Sequence, residues 1–212
     1  MEQLKKKYKY GLFLLLFLIF HSVTYFLIQK YVTNWHYISV SLDYKIPFVS
    51  AFIIPYVLWY VYVVVTFAYI LFTSISEFKK VTLMFIIGDL ISLTIYVVYP
   101  TAIDFRPTTF TESGILISLV RLIYASDKPV NVCPSLHCYV SMVMNIAIVN
   151  SKSLEGKKLI KVLSSILMIS ICLSTMFIKQ HSVIDFVVSA IMALVLYCLI
   201  YKNNLVKCLK ND

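Results

Sequence analysis

Residues 47–72 read PFVSAFIIPYVLWYVYVVVTFAYILF, an apolar run without one charged side chain. A helix needs about 17–25 such residues to cross the hydrocarbon core of a bilayer, and this run supplies them. Working outward, five more predominantly apolar runs occupy 10–28, 82–98, 135–149, 159–177 and 184–201. Together they predict an all-α, polytopic membrane protein of six transmembrane helices. The fourth run is the shortest. Little sequence lies between the runs, so residues 1–212 read as one integral-membrane domain. A hydrophobic content of 60% agrees, since soluble domains lie nearer ~45–50%.

The net charge of +9 raises the question of a nucleic-acid partner, and the positions of the charges exclude one. Lys5, Lys6, Lys7 and Lys9 precede the first run, and Lys79 and Lys80 follow the second. Lys152, Lys157, Lys158 and Lys161 separate the fourth from the fifth, and Lys202, Lys207 and Lys210 follow the sixth. If the spans alternate in direction, all of these share one side. Lys30, Lys45, Arg106, Arg121, Lys128 and Lys179 fall on the other. The positive-inside rule then predicts two cytoplasmic termini in a multi-pass protein of the cell (plasma) membrane. The first run has a basic start but no small-residue cleavage site after it, which predicts a retained anchor, not a removable signal.

On this topology the outer side carries the loop 29–46, the long connection 99–134 and the short turn 176–183. Within the long connection, 111–124 is amphipathic and predicts a short helix at the outer interface, with Thr109 and Glu112 as a capping box. Two polar clusters follow. Residues 133–137 read CPSLH, where Ser135 can cap the fourth helix and expose its first-turn N–H groups to an anion. Residues 179–185 read KQHSVID, with His181 and Asp185 one helical turn apart. An Asp on a His fixes its tautomer and stabilises its charged form. Each cluster alone is a weak signal. Arg106, His137, His181 and Asp185 arriving at one membrane face is a stronger one, because interfacial and intramembrane ionisable groups are rare.

Cys133, His137, Cys138, His181 and Asp185 are all competent zinc ligands, which makes a metal site the sharpest rival. No paired C-x-x-C or H-E-x-x-H spacing supports it, and no metal or other cofactor is expected. Five cysteines without a spacing framework do not predict a disulfide scaffold, although Cys133 and Cys138 share the outer side. Asp89 stands alone in the third run and stays unassigned. His21 reads as a polar contact between helices.

At these residues the chain resembles the type-2 phosphatidic acid phosphatase superfamily of membrane phosphatases and phosphotransferases. That family carries K-x6-R-P, P-S-G-H and S-R-x5-H-x3-D. Here the matches are Arg106-Pro107, then Pro134-Ser135-Leu136-His137, then Ser174-Thr175 with His181 and Asp185 at the family spacing. The resemblance implies a phosphorylated lipid substrate and His181 as the nucleophile that becomes phosphorylated, with Asp185 orienting it. It makes His137 the acid for the leaving alcohol and the base for the acceptor, with Arg106 and Ser135 holding phosphate oxygens. Tyr99 stands where the family has its first lysine, and Thr175 where it has its arginine. Lys179 is the candidate replacement charge, Arg121 a weaker one. S-L-H and the lost arginine are closer to the branch that includes inositol phosphorylceramide synthases, which pass a phosphorylated head group to a lipid hydroxyl. The expectation is therefore a metal-independent lipid phosphatase, with head-group phosphotransfer as the alternative. A small transporter or scaffold is the non-enzyme alternative.

Overall fold

The computed structural model describes residues 1–111 and 113–202 and is almost entirely helical. Its helices are α1 (Glu2–Tyr31), α2 (Ser41–Lys45), α3 (Ile53–Thr73), α4 (Ile75–Val98), α5 (Ile115–Ser126), α6 (Leu136–Asn150), α7 (Lys158–Phe177) and α8 (Val183–Tyr197). A parallel pair of two-residue strands, β1 (His36–Tyr37) and β2 (Thr101–Ala102), ties the connection after α1 to the one after α4.

Five helical stretches are long and apolar enough to cross a membrane: Glu2–Tyr31, Ser50–Thr73, Ile75–Val98, Lys158–Phe177 and Val183–Lys202. The apolar run at 135–149 forms α6, which at ~1.5 Å per residue is only about 22 Å long. It lies inside the bundle. It packs against α3, α4, α7 and α8, and Tyr139, Val143 and Met144 are fully buried. Gly88 of α4 makes the closest approach possible, since a Cβ there would sit 2.1 Å from the Tyr139 ring. The tyrosine hydroxyl donates to the Met84 carbonyl across the same contact. By contrast α1 leaves Leu12, Phe13, Leu16, Phe20 and Phe26 open on its surface, as a helix bathed in hydrocarbon would.

α1 and α4 both begin earlier than their apolar runs, at Glu2 and Ile75, because helical hydrogen bonding continues through polar residues. α4 starts immediately after α3, with the Ser74 hydroxyl accepting from the Glu77 N–H. The capping box foreseen at Thr109 and Glu112 does not begin α5: the helix opens at Gly114, whose φ of 116° favours glycine. Glu112 itself lies outside the described residues, as do Lys207, Cys208 and Lys210.

The bundle has two chemically different ends. At one, Lys7 donates to the Phe72 carbonyl at 2.7 Å, Lys79 lies over the Tyr10 ring and Lys161 donates to the Val149 carbonyl. At the other, the start of α6, the turn between α7 and α8 and the end of α5 converge with His137 and His181.

Candidate active site

α7 ends at Phe177, and the chain reverses at Lys179 in the left-handed region, φ 55°. That conformation costs a non-glycine residue roughly 1–2 kcal/mol. It lets the N–H groups of both Gln180 and His181 return to the Thr175 carbonyl, at 2.8 and 3.1 Å. Ser182 then caps α8, with its hydroxyl accepting from the Ile184 N–H and the Asp185 carboxylate accepting from the Ser182 N–H at 2.8 Å. His181 is thus held between a helix C-terminus and a helix N-terminus.

Asp43 secures this turn from outside it. One of its oxygens accepts the Ser182 hydroxyl at 2.7 Å and the Val40 N–H at 2.8 Å; the other accepts the Val183 N–H at 2.9 Å. The residue is 2% exposed. A carboxylate at a helix start satisfies free donors and complements the helix dipole. Nothing local in the sequence tied Asp43 to this turn, because Ser182 and Val183 lie some 140 residues away.

The His181 Nδ1 stands 3.0 Å from the Val132 carbonyl and 3.2 Å from Asp185 Oδ2. Both neighbours accept, so Nδ1 carries the hydrogen and the neutral ring keeps its lone pair on Nε2. Burial works against a charge on this imidazole. The hydrogen bond and charge of Asp185 outweigh it, with Cys138 and Asp127 adding to them, and the group titrates above the ordinary histidine value.

His137, in the first turn of α6, is packed between aromatic rings, with Tyr56 at 4.5 Å and Trp59 at 4.5 Å between centroids. Its ring centroid is 5.9 Å from that of His181. Both rings line one cavity of about 300 Å³. The Ser135 hydroxyl accepts from the Cys138 N–H, fixing the helix start that carries His137. Ser135 is fully buried and does not line the cavity.

Two basic residues singled out in the sequence lie elsewhere. Arg106 stacks its guanidinium 4.3 Å over the Tyr124 ring and donates to the Asp127 backbone carbonyl at 2.8 Å. It lines a neighbouring groove with Arg121. Lys179 is buried and donates to the carbonyls of Asp43 and Ile46. Tyr99 stacks on His36, and Thr175 is buried against Cys138 of α6. None of the four faces the histidine cavity.

Beside the two histidines, the cavity wall contains polar residues that were not foreseen. Asp127 follows α5 and accepts the Tyr25 hydroxyl at 3.1 Å. Burial pushes its carboxyl above the usual aspartate range, against the pull of His181, Tyr25 and Arg106. Asn131 and Gln180 are each 2% exposed, and their side-chain amides find no protein partner among the described residues. His21 also lines the cavity, with Nδ1 2.8 Å from Asp89, which gives the isolated carboxylate of α4 its neighbour. Cys133 and Cys138 are free thiols. Among the described residues no three His, Cys, Asp or Glu side chains converge as a metal would require.

Comparison with protein-family models, with curated proteins and with solved structures returns no match to this chain.

Proposed function

We propose that this chain is a multi-pass membrane enzyme that cleaves a lipid phosphate ester through a phosphohistidine at His181. The observation that carries the reading is the pair of imidazoles across one cavity, one of them with its Nδ1–H held by a carboxylate. His181 Nε2 attacks phosphorus, and the bond from phosphorus to the leaving alcohol breaks. His137 gives that oxygen its proton. An acceptor hydroxyl then loses its proton to His137 and attacks phosphorus, and the phosphorus–nitrogen bond breaks to restore His181. Covalent transfer divides one hard displacement into two, and positioned acid–base catalysis serves both. The N–H groups at the start of α6 and the amides of Asn131 and Gln180 are the donors for the phosphoryl oxygens. No metal is needed.

In this reading α6 crosses as a short, protein-surrounded sixth span, and α5 lies at the outer interface. The lysine end of the bundle is cytoplasmic, and the histidine end opens outside the plasma membrane. With water as acceptor, the enzyme is a lipid phosphatase acting on a phosphomonoester or diphosphate. Transfer of a phosphorylated head group to a lipid hydroxyl is the second reading. One observation favours it: the cavity wall holds Asp127 and neither Arg106 nor Lys179, a poor setting for a multiply charged terminal phosphate. Purified wild type and His181→Ala, each given phosphatidic acid, undecaprenyl diphosphate and a glycerophospholipid with an acceptor lipid, test the proposal. Products formed by wild type and lost in the variant support it, with free phosphate marking hydrolysis and a new phospholipid marking transfer. Equal product from both proteins overturns it.

A further inference from the structure

We propose that the cavity binds a zwitterionic phosphodiester head group, with its phosphate between His137 and His181 and its ammonium at Asp127 among aromatic rings. This rests on the reading that a lipid phosphorus is the reacting centre, and it narrows the substrate class.

Charge argues first. Among the described residues, Asp127 is the only carboxylate in the cavity wall, and Lys128, the only lysine or arginine there, is exposed at the rim. A phosphomonoester carries about 1.5 to 2 negative charges at neutral pH, and Asp127 would oppose it. A phosphodiester carries one, and an attached ammonium cancels it. That cation would also complement a carboxyl that burial otherwise drives towards its neutral form.

The rings argue second. Tyr25, Trp59, Tyr60 and Tyr96 line the same cavity, with Trp59 and Tyr60 edge to face at 5.0 Å. The negative faces of such rings attract ammonium groups, and a carboxylate beside them sets where the cation rests. Neutral donors argue third. The unpartnered amides of Asn131 and Gln180 suit the oxygens of a singly charged phosphate, because each supplies N–H groups without adding charge. With a diester, the group carried on His181 is the phosphorylated head group. The first leaving group is the lipid alcohol, protonated by His137.

Soluble head-group mimics separate this proposal from the reaction itself. The detergent-solubilised full chain is titrated calorimetrically with glycerophosphocholine, glycerophosphoethanolamine, glycerophosphoglycerol and glycerol phosphate. The two ammonium-bearing diesters should bind about tenfold more tightly than glycerophosphoglycerol, and glycerol phosphate more weakly still. Tighter choline binding would name the rings as the dominant site, and tighter ethanolamine binding would name Asp127; either supports the proposal. Asp127→Asn should reduce the preference. If that variant does not fold, the ranking on wild type decides alone. His181→Ala should keep the preference, so loss of the phosphohistidine reading leaves this binding result standing. Equal or tighter binding of glycerophosphoglycerol or glycerol phosphate by wild type overturns the proposal, even where turnover depends on His181.

Discussion

The rings of His137 and His181 stand 5.9 Å apart, centroid to centroid, although one opens α6 and the other sits in the α7–α8 turn, over forty residues along the chain. That separation fits one imidazole at phosphorus and the other at the leaving oxygen. It assigns different work to each ring, and the difference is measurable.

His137→Ala should lower turnover of a lipid ester by about 10²–10⁴-fold, the usual contribution of a positioned general acid. The loss should be much smaller for a nitrophenyl phosphate, whose leaving group departs without a proton. Parallel assays on the two substrates check this, and an equal loss on both would remove His137 from proton transfer to the leaving group.

The pH dependence follows from Asp185. A raised His181 pKa means that the neutral nucleophile is depleted below that pKa, so kcat/KM should climb with pH through a value above the ordinary ~6.5. Asp185→Asn removes the largest contribution opposing burial, and the acid limb should move to lower pH. The plateau should also fall by about 10²–10⁴-fold, because the amide no longer selects the tautomer. A profile with an unmoved limb would show that Asp185 does not set this pKa.

Asp43 should act by position, not by contact with substrate. Asp43→Ala strands two donors at the start of α8 and one at the start of α2, and each buried unsatisfied group costs about 1–3 kcal/mol. The thermal midpoint should fall by several degrees, and Asp43→Asn should recover part of it. An unchanged midpoint in the alanine variant would mean that this carboxylate does not hold the turn.

Lys179→Met and Arg106→Ala should loosen the fold more than they weaken phosphate binding. Both cations donate to backbone carbonyls, Arg106 to that of Asp127 and Lys179 to that of Asp43, and neither side chain lines the cavity. Inhibition by vanadate should stay within about threefold of wild type, while the thermal midpoint drops with loss of a charged hydrogen bond of about 1.5–3 kcal/mol. A large rise in the vanadate inhibition constant with an unchanged midpoint would return either residue to the phosphate site.

The apolar runs located the helices well because each is a continuous stretch with a hydrophobic surface to hide. His181 with Asp185 was legible for a similar reason: a spacing of four is local. Asp127, Asn131 and Gln180 carried no such signal. The first two follow α5, where the chain direction depends on the packing of α5 against α3 and on the strand pair, and Gln180 is set by the left-handed turn at Lys179. Asp43 and the His21–Asp89 contact depend on helices far apart in sequence. Lys179 was a reasonable replacement for an arginine on charge alone, but the left-handed turn sends its side chain to the α2 carbonyls. Hydropathy also overstated the independence of α6, since a helix enclosed by four others is as apolar as one facing lipid.

The central claim is a covalent bond between His181 and phosphorus. Purified protein incubated briefly with a lipid labelled in its phosphate, quenched in alkali and digested, should yield a labelled peptide spanning KQHSVID, with the label stable to base and lost in acid. His181→Ala should yield none, and His137→Ala should accumulate label slowly. Full turnover by wild type without such a peptide, or turnover that persists in His181→Ala, would contradict the account.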